Sequence, residues 1–145
     1  LQTKFRSMSV GKMFLAVDGS VVIFAMIMFR DIEAGLYAID LKKRHYSEHP
    51  QVLALLADPY APVIPGLRKY ELVQCSIYFS FYYLEACRLC GLDDLAEKRI
   101  GRWRALQEEG LTTFPEEFEN PRSDCHAWSS HILYHLLRQE AAVGS

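Results

Sequence analysis

The sequence predicts a mainly α protein built from antiparallel helical hairpins. Three observations carry this reading. The stretches 76–90, 95–109 and 124–138 space their apolar residues as helices do. Gly91 and Gly110 stand just past the first two, where a left-handed residue ends a helix. The connections between them are short, which turns each helix back on its predecessor, and little strand pattern follows Tyr46.

In order along the chain, residues 1–34 form an apolar segment with no clear element. Met13 to Phe29 is almost wholly apolar, broken by Asp18, Gly19 and Ser20. Its uninterrupted run, Val21 to Phe29, is far shorter than the ~20 residues a spanning helix needs. A buried segment with strand character at Val21-Val22-Ile23 ranks first, an interrupted sequence second and a membrane anchor third. From residue 35 the organisation is clearer. Gly35-Leu36-Tyr37-Ala38 reads as a turn into an extended stretch, and Leu41 to Arg44 as a short basic loop. Ser47 is a candidate N-cap for a helix that must stop before Asp58-Pro59, because proline disfavours helical geometry in the residue before it. Pro59, Pro62, Pro65 and Gly66 then predict an irregular loop.

Ser76 to Cys90 is apolar almost all round, a pattern that belongs to a helix buried among neighbours. Leu95 to Glu109 carries one stripe, Ala96, Ile100, Trp103 and Leu106, with Asp93 and Asp94 favouring its start. Leu111 to Pro121 is a loop. Asp124 is the expected cap of a last helix reaching about Arg138, with His126 in its first turn.

Composition excludes several functions. Sixteen basic and 18 acidic residues leave a net charge of −2, so nothing here neutralises a phosphate backbone, and nucleic acid is not an expected partner. Aromatic residues make up 12% of a near-neutral chain, which suits stacking on uncharged ligands such as sugars as well as core packing. Cys87 and Cys90 form a C-x-x-C pair without a second pair at zinc spacing, so buried free thiols and a reducing, cytoplasmic setting are expected. His131 and His135 lie four apart on one helical face. They lack a third ligand at a suitable step, so neither metal nor cofactor is implied.

The chemistry concentrates in Gly110-Leu111-Thr112-Thr113-Phe114-Pro115-Glu116-Glu117-Phe118, an acidic loop between two amphipathic helices. Inverting hydrolysis of a glycoside needs a carboxylate that takes a proton from the attacking water and a second that protonates the leaving oxygen. A glutamate beside Phe114, Pro115 and Phe118 is partly desolvated and suits the first role, although acidic pairs in loops are most often solvated surface. His126 and Trp128 follow closely. They read either as a packed helix start or as a sugar shelf, the indole stacking on a pyranose face and the imidazole bonding a hydroxyl.

Four strings, in order, resemble successive signatures of the bacterial α-L-rhamnosidases, glycoside hydrolase family 78. They are Tyr46-Ser47-Glu48-His49-Pro50-Gln51, Tyr78-Phe79-Ser80-Phe81-Tyr82-Tyr83-Leu84-Glu85-Ala86, Thr112-Thr113-Phe114-Pro115-Glu116 and His126-Ala127-Trp128-Ser129. The resemblance runs from about Gly35 to Leu137. It implies that residues 35–145 are the C-terminal portion of an (α/α)6-barrel catalytic domain that releases terminal α-L-rhamnose from glycosides or polysaccharides with inversion. It implies Glu116 as general base, with Glu117 the alternative if the register slips by one, and His126 and Trp128 as substrate-binding residues. The family's general acid lies in an acidic loop much earlier in the barrel, whereas Asp18 is the single acid in the first thirty residues here. The expectation is a chain carrying the general-base half of the site, silent alone and self-associating through exposed apolar helix faces. A non-catalytic sugar-binding or helical interaction module is the alternative.

Overall fold

The computed structural model describes residues 26–143, with side chains described as far as residue 139. Among them the class is mainly α, as expected: five α-helices and one 3-10 helix against a single two-stranded sheet. Two compact units divide the chain. One holds residues up to 54 and 60–74, the other 55–59 and residues from 75 onward.

In the first unit, β1 (Arg30–Asp31) and β2 (Leu36–Tyr37) pair antiparallel, Arg30 opposite Tyr37 and Asp31 opposite Leu36. Gly35 closes their turn at φ 68°, a left-handed conformation that glycine adopts without cost. Helix α1 (Glu48–Ala57) begins in this unit and stops before Asp58-Pro59, as proline requires. Its fully buried Gln51 acts as a surrogate strand. The side-chain amide accepts from Tyr37 N at 2.8 Å and donates to Tyr37 O at 2.7 Å, satisfying the free edge of β2. Tyr46 places its hydroxyl 2.6 Å from Asp31 Oδ2, so the first string of the rhamnosidase resemblance is a fold anchor. That bond to a carboxylate pushes the phenol up to about 12. Residues 64–69, expected as irregular loop, form a short helix, α2 (Ile64–Lys69). Pro65 falls in its first turn, where a missing N–H costs nothing.

The expected buried strand at Val21-Val22-Ile23, and most of the segment 1–34, lie outside the described residues. At 26–29 the backbone is helical, with Ile27 and Met28 exposed.

In the second unit, α3 (Ser80–Cys90) and α4 (Asp93–Glu108) form an antiparallel hairpin around Leu84, Cys87, Ile100 and Trp103. Helix α3 starts at Ser80, four residues later than predicted, because Ser80 N reaches both Ser76 O and Ile77 O and holds residues 77–79 in a tighter turn. Both helices end alike. Gly91, at φ 64°, donates toward Arg88 O while Leu92 N reaches Cys87 O; Gly110, at φ 97°, donates to Gln107 O while Leu111 N reaches Leu106 O. This double bond pattern closes helices on a left-handed glycine, as the sequence predicts. Helix α5 (His131–Val143) packs against α3, with Ile132 in the core. On α3, Tyr82 and Leu89 are exposed, 38% and 46%.

All four cysteines are free thiols, with Cys75 and Cys87 buried and Cys125 exposed. Among the described residues, no helix is long and apolar enough to cross a membrane, and no cluster of metal-binding side chains forms.

Candidate active site

The loop after α4 folds back on itself. Thr113 donates its hydroxyl to Asp124 O, His126 N donates to Phe114 O at 2.6 Å, and Glu116 N donates to Ser123 O at 2.9 Å. Asn120 turns the chain at φ 49°, in the left-handed region that asparagine tolerates better than most residues. The result is two extended limbs, 113–116 and 123–126, bonded side by side. Aromatic packing fixes this loop on α4: Phe118 meets Trp103 edge-on at 4.6 Å, the Arg102 guanidinium covers its ring at 3.9 Å, and Arg102 pairs with Glu119 at 3.3 Å. Pro115 is fully buried.

Glu116 is therefore held by its backbone from one side and by the turn from the other. Its side chain is 12% exposed. Arg122 clamps it with both arms of the guanidinium, Nε to Oε2 at 2.9 Å and Nη2 to Oε1. This charge-assisted fork holds the carboxyl below the usual glutamate range, against the upward pull of burial, with positive charge at His126 helping. The neighbouring Glu117 is exposed.

The last helix does not begin where the sequence suggested. Asp124 is no cap, and His126 is extended (φ −123°, ψ 116°) because its N–H is committed to Phe114 O. A 3-10 helix, Ala127–Ser130, follows, with Ser129 and Ser130 hydroxyls donating back to His126 O and Ala127 O in competition with α-helical bonding. The consequence is useful. The His126 and Trp128 rings sit 4.2 Å apart, inclined by 39°, with Trp128 45% exposed. So His126 packs on Trp128, its charge reaches the Glu116 carboxylate, and Arg122 bonds Glu116 directly. Sequence reading gave Arg122 no role. Its signal was an arginine six residues after the glutamate across an Asn-Pro turn, which becomes a contact only once the loop folds back.

A groove of about 610 Å³ lies between α4 and α5, lined by Trp103, Gln107, Leu111, Thr112, Phe114 and Leu136 among others. None of Glu116, His126 or Trp128 lines it. Beneath the loop, His131 donates Nε2 to Ile77 O at 2.9 Å, and its ring meets Trp103 at 5.5 Å and His135 at 5.6 Å. His135 is thus a packed core histidine, with His131 half-buried beside it.

This chain is similar to part of a rhamnosidase. A solved rhamnosidase from Klebsiella oxytoca, with rhamnose bound, matches it with a TM-score of 0.69 and 26% identity. The match covers 83% of this chain and 27% of that one, so the chain spans about a quarter of that protein's length. No family model and no curated sequence matches. The fold is rhamnosidase-like.

Proposed function

We propose that this chain is part of an inverting α-L-rhamnosidase of glycoside hydrolase family 78, a portion of an (α/α)6 barrel that carries the general base and part of the sugar pocket. The observation that supports this best is the pinned loop that carries Glu116 within electrostatic reach of His126, which packs on Trp128, in a chain similar to a rhamnosidase. In that role Glu116 accepts a proton from water as the water oxygen attacks the anomeric carbon. The electrons of the breaking glycosidic bond leave on the aglycone oxygen, which must take a proton from a separate acid. The resemblance places that acid in a loop much earlier in the barrel, so the chain alone is expected to bind terminal α-L-rhamnose of a glycoside or polysaccharide without hydrolysing it. Exposed Tyr82 and Leu89 on α3 and Leu133 and Leu137 on α5 supply apolar surface for self-association. Four free thiols fit a cytoplasmic setting.

A purely sugar-binding module is favoured by one observation: the fork from Arg122 to both oxygens of Glu116 lowers this carboxyl and so weakens it as a base. Titration of the chain with L-rhamnose, followed by the fluorescence of Trp128, tests the shared premise. A saturable change that His126→Ala abolishes is expected. No change at millimolar sugar, or an unaltered one in the variant, refutes it. Turnover of an aryl α-L-rhamnoside by the monomeric chain would contradict the expected silence.

A further inference from the structure

The fork between Arg122 and Glu116 has a chemical consequence for the reading above, on which this inference rests. We infer that Arg122 is a positioning residue: it fixes the plane of the Glu116 carboxylate and keeps it ionised, leaving one unshared pair on each oxygen to receive the proton of a bound water.

Burial and ionisation pull in opposite directions at this position. A carboxylate with a 12% exposed side chain, beside a buried proline, loses hydration and is driven toward its neutral form. A neutral carboxyl cannot take a proton from water. A guanidinium presents two parallel N–H groups at the spacing of two carboxylate oxygens, so it offsets the lost hydration and also sets the rotation of the carboxyl group. A lysine at 122 would supply the charge but not the plane. The arrangement is built from the backbone outward. Glu116 N is bonded to Ser123 O, so the two limbs that carry the glutamate and the arginine are locked in register at Glu116 itself and one residue from Arg122. Arg122 is 86% exposed at its side chain, so its commitment to Glu116 comes from the fork and not from packing.

The other charged groups facing the pair do not replace it. Glu117 adds negative charge near Arg122 and strengthens the guanidinium's hold on its proton. His126 adds a smaller favourable charge to Glu116. On the α4 side, Arg102 is occupied by Glu119 and by the Phe118 ring.

The test is a carbon-detected NMR titration of the glutamate side-chain carboxyls in the whole chain. In the wild type, Glu116 should titrate below the usual glutamate range. Arg122→Lys should raise its midpoint part of the way, and Arg122→Ala should raise it further, as burial is then opposed by the smaller charge effect of His126. Glu116 titrating in the ordinary range in the wild type, or at one midpoint in all three proteins, overturns the inference. Equal midpoints in the Lys and Ala variants overturn the geometric part. If Arg122→Ala disturbs the loop, the Arg122 Nε–H resonance supplies the reading. It should be slow to exchange in the wild type and fast in Glu116→Gln, and fast exchange in both would sink the pairing. Rhamnose binding is read separately at Trp128, so a chain with the expected titration but no sugar response refutes the functional reading and leaves the pairing standing.

Discussion

His135 makes the second unit sensitive to acid. Its side chain is 7% exposed, enclosed by Phe81 at 5.2 Å, Tyr134 at 5.1 Å and His131 at 5.6 Å, with Nδ1 3.6 Å from Glu85 Oε1. Its Nε2 is buried without a protein partner. Burial lowers this imidazole to about 4, and the positive neighbours His131, Arg138 and Arg88 add to the effect while Glu85 opposes it. In the unfolded chain the same group titrates near 6.5. Between these values the unfolded state holds the extra proton, so stability rises with pH. The contribution is complete above 6.5 and is lost as pH falls toward about 4. At about 1.4 kcal/mol per pH unit, the gap corresponds to roughly 3 kcal/mol as a ceiling. His131, lowered in the same direction by burial, steepens the loss. Urea unfolding followed by Trp103 fluorescence at pH 7, 6, 5 and 4.5 measures it. The midpoint should fall steadily below pH 6.5, and His135→Leu, close in volume, should flatten the decline. A flat wild-type curve from pH 7 to 5, or an equally steep one in the variant, refutes the reasoning.

Other perturbations have comparably defined outcomes. Gly66→Ala in α2 would place a Cβ 2.6 Å from the Cγ and Cδ2 of fully buried Leu36 and 2.9 Å from Ala34 O. Overpacking of about 1–3 kcal/mol should outweigh the ~1 kcal/mol that alanine gains in a helix, and a raised thermal midpoint would contradict the packing around β2. In a longer rhamnoside-hydrolysing protein containing this segment, Glu116→Gln should cost about two to four orders of magnitude in kcat with KM nearly kept, the range for removing a general base. A comparable loss from Glu117→Gln alone would move the base by one residue.

What the sequence made legible was local. Gly91 and Gly110 mark helix ends because a left-handed terminal residue is a property of one position and its immediate neighbours. Asp58-Pro59 stops α1 for an equally local reason. Glu116, His126 and Trp128 could be singled out as candidates from residue type, order and family resemblance, while their roles rest on the proposal above. What stayed hidden depends on pairing at a distance. Asp124 looked like a cap, yet the bond from His126 N to Phe114 O, formed only when the loop doubles back at Asn120, keeps the backbone extended there. The same fold-back brings Arg122 onto Glu116. Gln51 serving as a strand edge for Tyr37 likewise joins residues 14 apart and has no local signature.

The central claim places a sugar against Glu116, His126 and Trp128, and NMR shift mapping of the labelled chain with L-rhamnose tests it most directly. Saturable shifts at the Trp128 indole, the His126 ring and the Glu116 carboxyl are the predicted result. Shifts confined to the groove around Gln107 and Thr112, or none at all, would contradict it.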